Sequence, residues 1–388
     1  MLEVREAQAR LLQSIIPIER EVETVPLAEA LDRICASDVN AIADSPPFRR
    51  SVMDGYAVRA ADLPGPLPVA FELPAGSPVK ELPSGQCARI FTGAPVPDGA
   101  DCVVPQENKI GELEGVILEP SGQPWIRPVG DDVQIGQTLV KKGQTLGPVE
   151  LGLLAAGGHA QVQVLRRLKV ALITTGDELR PPGESLAPGQ IHNANALMLA
   201  GLLNKWGVEC TEHHVADDRE SIQANLFEAS QVSDLVITVG GVSVGEHDHV
   251  RPSIEALGRI EAYRVRMKPG KPFAWGQIGV TPVLCLPGNP ASSMAGALLF
   301  AKPVIQALRY QPTESFSFAV NSCFEVPAEG RRRFLRVRLT ERGLVLHPNQ
   351  DSGALSPLSW ATGLAEVEPE QSVSRGQDLT YHPFESLI

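Results

Sequence analysis

The sequence predicts a multidomain α/β protein that joins a doubly wound parallel sheet to β-rich modules. Residues 169–310 alternate strand-like and helix-like stretches, which is typical of a parallel sheet covered by helices on both faces. Residues 45–143 and the residues after Pro312 consist instead of short β-like runs separated by proline and glycine. A chain of 388 residues is also too long for one ordinary core.

The N-terminal part mixes helical and β patterns. Residues 3–15 space their apolar side chains as one face of a helix, and residues 22–42 resemble short strands around a helix. Runs such as "PVAFEL", "ARIF", "CVVPQ" and "GVILEP" then predict a small β module. Residues 147–158 resemble a helix, and "AQVQVL" a strand.

The alternating region follows. Its strands are predicted at "VALITTG", "VECTEHHVA", "LVITVG" and "VLCLPG", and its helices at 193–206, at 218–230 and from Pro290 onward. The last β-like runs, "SFSFAV", "RRFLRVRLT" and "GLVLHP", predict a small C-terminal barrel or sandwich.

Composition narrows the classes of function. A net charge of −12 argues against nucleic-acid binding, which needs a basic face. The six cysteines form no CxxC pair, so neither a zinc knuckle nor a redox motif is indicated. The charged first residues lack the apolar run of a signal peptide, and no stretch has the length of a membrane span. We therefore expect a cytoplasmic protein without a membrane or nucleic-acid partner.

Three strands of the alternating region end in unusual turns: "ITTGDEL" at 173–179, "TVGGVSVGEHDHV" at 238–250 and "CLPGNPAS" at 285–292. Ligands of open parallel sheets bind beyond the carboxyl ends of the strands, so these turns should converge on one crevice. Their glycines would let backbone N–H groups approach an anion. The alternative is that each is only a tight strand–helix connection. No turn matches the Walker A or G-x-G-x-x-G pattern, which weakens the common nucleotide-binding alternatives.

A basic segment lies nearby in "YRVRMKPGKPFAWG", residues 263–276. Strand alternation would place Arg264, Arg266 and Lys268 on one face, and the rigid "KPGKP" turn would direct Lys268 and Lys271. We interpret the segment as an anion site, against the alternative of an exposed strand with solvated charges. The second basic run, "GRRRFLRVR" at 330–338, is interpreted as structural, because most such runs are solvated faces.

Acidic side chains accompany these turns. Glu178, Asp217, Asp248 and Asp54 lie on separate turns and suit a divalent cation bound together with substrate phosphates. Asp177 and Asp218 are interpreted as helix caps or solvated residues.

Two alternatives to this divalent-cation site have less support in the sequence. A zinc site would need a third ligand beside a pair such as His213 and His214. Acyl transfer at "GVSVG" would need an accompanying His/Asp set.

Taken together, these motifs resemble the molybdopterin molybdenumtransferases, the family of bacterial MoeA and of the E domain of gephyrin. The matching stretches occur in the family's order and span nearly the whole chain: "SVMDGYAV", "RIFTGAPVP", "VGDDVQIGQ", "ITTGDEL", "TVGGVSVGEHDHV", "MKPGKP" and "LPGNPAS".

The resemblance implies an elongated, four-part subunit. Its parts would be a discontinuous α+β domain (1–44 and 139–168), an inserted β-rich domain (45–138), a doubly wound molybdopterin-binding domain (169–310) and a C-terminal β-barrel (311–388). It also implies a homodimer whose active site is shared between subunits. The implied reaction is Mg²⁺-dependent: adenylylated molybdopterin, a small anionic pterin, receives molybdate while AMP leaves. A molybdopterin adenylyltransferase is the implied partner protein.

The resemblance also assigns site residues. Glu178, Asp217 and Asp248 would be catalytic acids and metal ligands, and Lys268 would face the anionic substrate with Arg264 and Lys271 close by. The glycine- and proline-rich turns would bind substrate through Gly240, Gly241, Ser243, Pro287, Gly288, Asn289 and Pro290. Asp54, as a catalytic residue, and Thr92, as a substrate-binding one, would be lent to the partner's crevice. Asp132 matches a further substrate-binding acid.

Two departures from the family pattern matter. The chain has "HNAN" at 192–195 where the family usually has tyrosine–aspartate–serine–asparagine, so an acid and a hydroxyl are lost. Arg264 stands where lysine is frequent, which replaces a point charge by a planar fork. Two other functions therefore remain open: a non-catalytic molybdopterin-binding or scaffold homologue, and a Mg²⁺-dependent nucleotide pyrophosphatase.

Overall fold

A computed structural model describes residues 1–16, 18–242, 248–313 and 316–387 of the chain. The chain divides into two compact units. One unit is Val22–Leu165, and the other combines Met1–Glu21 with Arg166–Ile388. The helix α1, Val4–Ser14, belongs to the second unit and buries Val4, Ala7 and Leu11, so the helix predicted at 3–15 is confirmed.

The unit Val22–Leu165 is built from short strands and one longer helix. Its apolar side chains form separate clusters, and one of these joins residues 30–41 to residues 133–164. The strand order of its main sheet is β5-β6-β4-β7. The elements, in chain order, are β1 Val22–Pro26, β2 Val39–Asn40, β3 Arg50–Ser51, β4 Gly55–Val58, β5 Val69–Leu73, β6 Cys87–Ile90, β7 Cys102–Pro105, β8 Lys109–Glu112, β9 Val116–Leu118, β10 Ile126–Arg127, β11 Thr138–Val140, α2 Pro148–Ala156 and β12 Gln161–Leu165.

The second unit contains the alternating region. Its elements are β13 Lys169–Thr175, β14 Leu179–Arg180, β15 Ile191–His192, α3 Ala194–Lys205, β16 Glu209–Val215, α4 Arg219–Val232, β17 Leu235–Val239, α5 Val250–Leu257, β18 Arg259–Tyr263, β19 Met267–Lys268, β20 Ala274–Ile278, β21 Thr281–Leu286, α6 Pro290–Gly296 and α7 Lys302–Leu308. A π-helical turn, Ala297–Ala301, connects α6 to α7.

The main sheet of this unit has the order β16-β13-β17-β21-β20-β18. The first four strands are parallel, and β20 and β18 extend the sheet antiparallel. One face packs against α1, α3, α6 and α7, and the other against α4 and α5. The doubly wound arrangement is therefore confirmed, while the antiparallel extension was not predicted. Gly276 permits it, because a Cβ there would lie 2.2 Å from the carbonyl oxygen of Arg259.

The continuous helix Pro290–Leu308 is long and apolar enough to cross a membrane by length and composition. Inside the fold, however, 83% of its most apolar window is buried. It stacks Phe300 on Phe273, with ring centroids 4.1 Å apart. These contacts identify it as a core helix of the doubly wound part.

The C-terminal region forms a second sheet, with the order β19-β23-β25-β26-β22 and β24 paired to β23. An isolated bridge between Ser322 and Leu344 brings β22 and β24 together. The elements are β22 Phe318–Asn321, β23 Arg332–Thr340, β24 Gly343–Leu346, α8 Ser356–Trp360, β25 Gly363–Val367, β26 Asp378–Pro383 and α9 Phe384–Leu387. The short strand β19 pairs with β23, so the lysine segment of the doubly wound part extends this sheet.

Two interpretations of the basic runs are wrong. Strand β18 ends at Tyr263 and Arg264 has a φ of +72°, so no single strand carries Arg264, Arg266 and Lys268. The run at 330–338 is not a solvated face, because three of its arginines are at least nine-tenths buried: Arg332, Arg333 and Arg336. Arg332 stays charged in the interior by pairing with Glu366 and Glu368.

Candidate active site

The carboxyl ends of β13, β17 and β21 meet at one edge of the sheet. The three strands are neighbours, and Thr174 lies opposite Val239, which in turn lies opposite Leu286. The turns that follow the strands line one cavity of about 680 Å³. The predicted convergence of the three turns on one crevice is therefore confirmed.

Many of the residues singled out in the sequence line this cavity. They are Glu178, Asp217, Gly240, Gly241, Asp248, Pro287, Gly288, Asn289 and Pro290. Ser243 lies outside the described residues, as do Glu246 and His247. The crevice thus combines glycine- and proline-rich backbone with acidic side chains.

Gly240 and Gly241 are required by the backbone of their turn. Their φ angles are +96° and +61°, in the left-handed region that favours glycine. A Cβ on Gly240 would lie 2.8 Å from the carbonyl oxygen of Thr175, and one on Gly241 would lie 2.5 Å from a methyl group of Val250. The turn therefore packs closely against β13 and α5, and it presents bare backbone to the crevice.

Asp248 is the acid with the most unusual environment. Both of its carboxylate oxygens are buried without a side-chain hydrogen-bond partner among the described residues, and the backbone N–H groups of Val250 and Arg251, at the start of α5, favour their charged form. Burial raises the pKa of Asp248 to about 6, and the charge of Asp217 acts in the same direction, while Arg251 opposes both. A buried carboxylate that only backbone amides contact is costly unless a bound group compensates it further. Asp248 can therefore accept a cation or a proton from the crevice.

Asp217 lies on the same crevice, between two further acids. Burial raises its pKa, and the charges of Asp177 and Glu178 add to the effect. The backbone N–H of Asp217 donates a hydrogen bond to Asp177 Oδ1 at 3.2 Å. Asp177 is exposed, so the solvated alternative predicted for it is confirmed. Asp218 is confirmed as the cap of α4 through its bond from Ser221 N–H at 2.8 Å.

Within the described ranges, no three His, Cys, Asp or Glu side chains are close enough together to hold a metal ion by themselves. This arrangement is compatible with Mg²⁺, which keeps several waters and binds through one or two carboxylates plus substrate phosphates. The buried oxygens of Asp248, with Asp217 close enough to raise its pKa, fit such a partial ligand set.

The "HNAN" segment is integrated into the site. Asn193 caps α3 by accepting a hydrogen bond from Ala196 N–H at 3.1 Å, and its Nδ2 donates to Thr174 Oγ1 at 2.9 Å. Asn195 Nδ2 donates to the carbonyl oxygen of Gly288 at 2.6 Å. The Oδ1 of Asn195 is buried and has no partner in the part of the chain that the structure describes. The segment therefore braces the "PGNP" turn despite its departure from the family pattern.

We expect Asn195→Ala to loosen the "PGNP" turn. The lost hydrogen bond to Gly288 should raise KM for the substrate by about 5- to 20-fold and lower the free energy of unfolding by about 1 kcal/mol. Steady-state kinetics and thermal unfolding would measure both. Asn204→Ala, on an exposed position of the same helix, serves as the control. Unchanged KM in Asn195→Ala would show that the turn holds its shape without this bond.

The C-terminal region contributes a loop to the crevice that sequence reasoning missed. Asn289 Nδ2 donates to Ser352 Oγ at 3.0 Å, and the backbone N–H of Ala291 donates to the carbonyl oxygen of Ser352 at 3.0 Å. Gly353 lines the cavity, and Arg336 donates to the carbonyl oxygen of Asp351 at 3.2 Å. The polar run "NQDSG" after a β-like segment was the available signal.

Within the described ranges, the basic residues predicted to serve an anion do not line the cavity. The Lys268 ammonium group contacts Glu329, with Nζ 3.0 Å from Oε1 and 2.9 Å from Oε2. Lys271 is exposed at the turn, and its neighbour Pro272 lines the crevice. The basic segment therefore borders the crevice through Pro272.

The remaining predicted residues lie in the unit Val22–Leu165. Asp54 Oδ1 accepts hydrogen bonds from both the backbone N–H and the hydroxyl of Thr92, each at 2.8 Å. These bonds lower the pKa of Asp54. The structure thus brings together two residues that are 38 positions apart in the sequence. Asp132 is exposed on another loop, and its backbone N–H donates to Ser45 O at 2.9 Å.

Comparison with known proteins bears directly on the identity of this site. Three family models match successive parts of the chain: "MoeA N-terminal region (domain I and II)" over residues 2–158, "Probable molybdopterin binding domain" over 171–307 and "MoeA C-terminal region (domain IV)" over 325–384.

Curated relatives and solved structures agree with these matches. The chain is 36% identical to the molybdopterin molybdenumtransferase of Haemophilus influenzae, with 100% of both chains covered. It is 35% identical to molybdopterin molybdenumtransferase 2 of Mycobacterium tuberculosis (strain H37Rv), with 94% of each covered. The molybdopterin biosynthesis MoeA protein of Pyrococcus horikoshii superposes with a TM-score of 0.82 at 33% identity, over 99% of each chain. The chain therefore belongs to the MoeA family, the molybdopterin molybdenumtransferases.

Proposed function

We propose that this protein inserts molybdenum into molybdopterin: it binds adenylylated molybdopterin and molybdate, and it releases AMP as the molybdenum cofactor forms. The observation that carries the proposal is the crevice at the carboxyl ends of β13, β17 and β21, where bare glycine backbone meets the acidic side chains of Glu178, Asp217 and Asp248. Full-length similarity to curated molybdopterin molybdenumtransferases supports the same activity.

The crevice suits a pyrophosphate-containing substrate. Gly240 and Gly241 hold the turn in a conformation that lets backbone amides reach phosphate oxygens. Asn195 and Ser352 fix the "PGNP" turn from two sides, so the opposite wall keeps its shape when the substrate enters. A volume of about 680 Å³ is within the range of small-molecule sites.

Mg²⁺ belongs to the proposal because the residues fit it. Asp248 would hold the ion with help from Asp217 or Glu178, and the ion would neutralise charge on the substrate phosphates. The charge state of Asp248 suits this role. With a pKa raised to about 6, Asp248 is largely deprotonated at neutral pH, so it carries the negative charge that a cation in the crevice needs.

The proposal includes a homodimer with shared sites. Asp54 and Thr92 hold each other in an exposed loop pair, and neither belongs to an apolar core. An exposed carboxylate with a lowered pKa suits contact with a metal or substrate of another subunit. Because the substrate is adenylylated, an enzyme that transfers an adenylyl group must supply it. A molybdopterin adenylyltransferase, in the cytoplasm, is the corresponding partner.

One assay separates this function from the alternatives. Purified protein is mixed with adenylylated molybdopterin, Mg²⁺ and molybdate, and both AMP and active cofactor are measured. AMP released together with active cofactor supports the transferase. Binding without AMP release would instead indicate a scaffold homologue, and AMP released from unrelated dinucleotides would indicate a general pyrophosphatase.

We expect Lys268→Ala to weaken oxyanion binding. Its side chain is 44% exposed and belongs to the turn that reaches the crevice through Pro272, so the ammonium group can approach an anionic substrate. The Kd for molybdate should rise by about 3- to 10-fold at low salt, and the loss should shrink at high salt because ions screen an exposed charge. Titration calorimetry at two salt concentrations would measure it.

Lys205→Ala, at the exposed end of α3, is the control for a general change in net charge. If Lys268→Ala binds molybdate as tightly as the wild type at low salt, "KPGKP" is a rigid turn without a role in anion binding.

A further inference from the structure

Lys268 is held by a single carboxylate of the C-terminal region. Both oxygens of Glu329 contact its ammonium nitrogen, at 3.0 and 2.9 Å. The pairing of β19 with β23 aligns Lys268 with Arg333, so the lysine is fixed at the edge of the C-terminal sheet. Four residues further along, Pro272 lines the crevice. The ion pair between Lys268 and Glu329 therefore lies at the border of the crevice, and the ammonium group in it could bind an anionic substrate.

Glu329 lies among several cations. Arg333 Nη1 is 3.8 Å from its Oε1, and the charge of Arg331 also acts on it. Contact with Lys268 is the main cause of the lowered pKa of Glu329. Arg333 is only 2% exposed, and its Nε has no partner among the residues that the structure describes. A carboxylate thus occupies the position where basic groups converge, which is a position that suits an oxyanion.

An anion from solution can displace Glu329 from its ion pair with Lys268. The side chains of Lys268 and Glu329 are 44% and 34% exposed, so solvent ions can reach both. Partly exposed lysine–carboxylate pairs are weak, since solvent screens them and the long side chains lose freedom. Arg333 keeps its hydrogen bond to the carbonyl oxygen of Gln371 at 2.8 Å, so that arginine stays in place if Glu329 moves.

We propose that Glu329 is an internal competitor that occupies Lys268 until the oxyanion substrate displaces it, and that it thereby sets the affinity for molybdate. This role rests on the proposed function, in which Lys268 serves an anionic substrate. The exchange is electrostatic: no covalent bond changes, and the carboxylate of Glu329 turns to solvent when molybdate takes its place beside Lys268.

The test measures binding of molybdate alone to the full-length protein by titration calorimetry. Glu329→Gln should bind molybdate about two- to fivefold more tightly at low salt, the range that a partly exposed ion pair is worth. The gain should vanish when Lys268→Ala is added. Glu325→Gln controls for the change in net charge, because Glu325 is 70% exposed and lies 3.9 Å from Arg375, away from Lys268.

Thermal unfolding of each variant shows whether the fold is intact, and Glu329→Asp, whose shorter arm reaches Lys268 less well, provides a second variant with the same charge. Unchanged or weaker binding by both Glu329 variants would overturn the competitor role and make Glu329 a brace for Lys268. If the wild type neither binds molybdate nor releases AMP, the proposed function itself fails. If it does both while the Glu329 variants bind no more tightly, only the competitor role fails.

Discussion

Asp248→Asn is expected to lower turnover by about 10²–10³-fold, the range for losing one charged group at a reacting centre. The carboxylate of Asp248 is buried near Asp217 without a side-chain hydrogen-bond partner among the described residues, and burial outweighs the favourable contacts of Arg251, so its charge does not stabilise the native fold. Asparagine keeps the shape but removes the charge that would hold a cation or accept a proton. Kinetics of AMP release and thermal unfolding, measured on the same preparation, would test this.

The direction in which Asp248→Asn changes the stability follows from the pKa of Asp248. Burial raises the pKa of Asp248 to about 6, so the folded chain retains a proton between about pH 4 and pH 6 that the unfolded chain has lost. The stability that this group contributes is present below about pH 4 and is lost as the pH rises to about 6. At pH 8 the variant should therefore melt at the same temperature as the wild type or slightly higher.

Wild-type turnover should fall below about pH 6 as Asp248 becomes protonated. Glu228→Gln, which removes an exposed acid on α4, serves as the matched control and should retain full activity. A large loss of stability in Asp248→Asn, together with normal turnover, would show that Asp248 is structural.

A mixture of Asp54→Ala and Asp248→Ala chains is expected to regain activity that neither variant has alone. In a dimer with shared sites, each heterodimer builds one intact site from the undamaged Asp54 of one chain and the undamaged Asp248 of the other. Its expected activity is about half that of the wild-type dimer, because one of two independent sites works. Different affinity tags on the two chains would isolate the heterodimers before AMP release is measured.

The control pairs Asp54→Ala with a chain that carries both substitutions, since that heterodimer has no intact site. Heterodimers of the two single variants that stay as inactive as their parents would exclude the shared site. Asp54 would then have to act within its own chain.

Much of the fold could be predicted from local patterns. Each strand of the parallel sheet is an apolar run that ends at a turn, and each predicted helix has one apolar face, so β13, β17 and α3 were all recognisable. The antiparallel strand β20 was missed because "AWGQI" carries a glycine, which weakens the strand signal. In the structure that glycine allows close approach to β18.

Site residues that follow the ends of strands could be predicted from the sequence. The pairing of one side chain with another could not. Gly240 comes directly after the buried strand β17, and Asp248 lies between that strand and α5, so their position followed from topology. The partner of Lys268 did not, because Glu329 is 61 residues away, in the segment that precedes β23. The buried arginines of β23 were misjudged for the same reason: Glu366 and Glu368, which neutralise Arg332, lie on or beside another strand.

The central claim is that molybdenum is handled in the crevice at the carboxyl ends of β13, β17 and β21. X-ray diffraction at the molybdenum absorption edge, from crystals soaked with molybdate, Mg²⁺ and adenylylated molybdopterin, tests this most directly. We expect an anomalous peak in the crevice between the glycine turn at Gly240 and the "PGNP" turn, or at the border of the crevice beside Lys268. A peak found only outside this crevice and its border, in crystals that release AMP, would contradict the account.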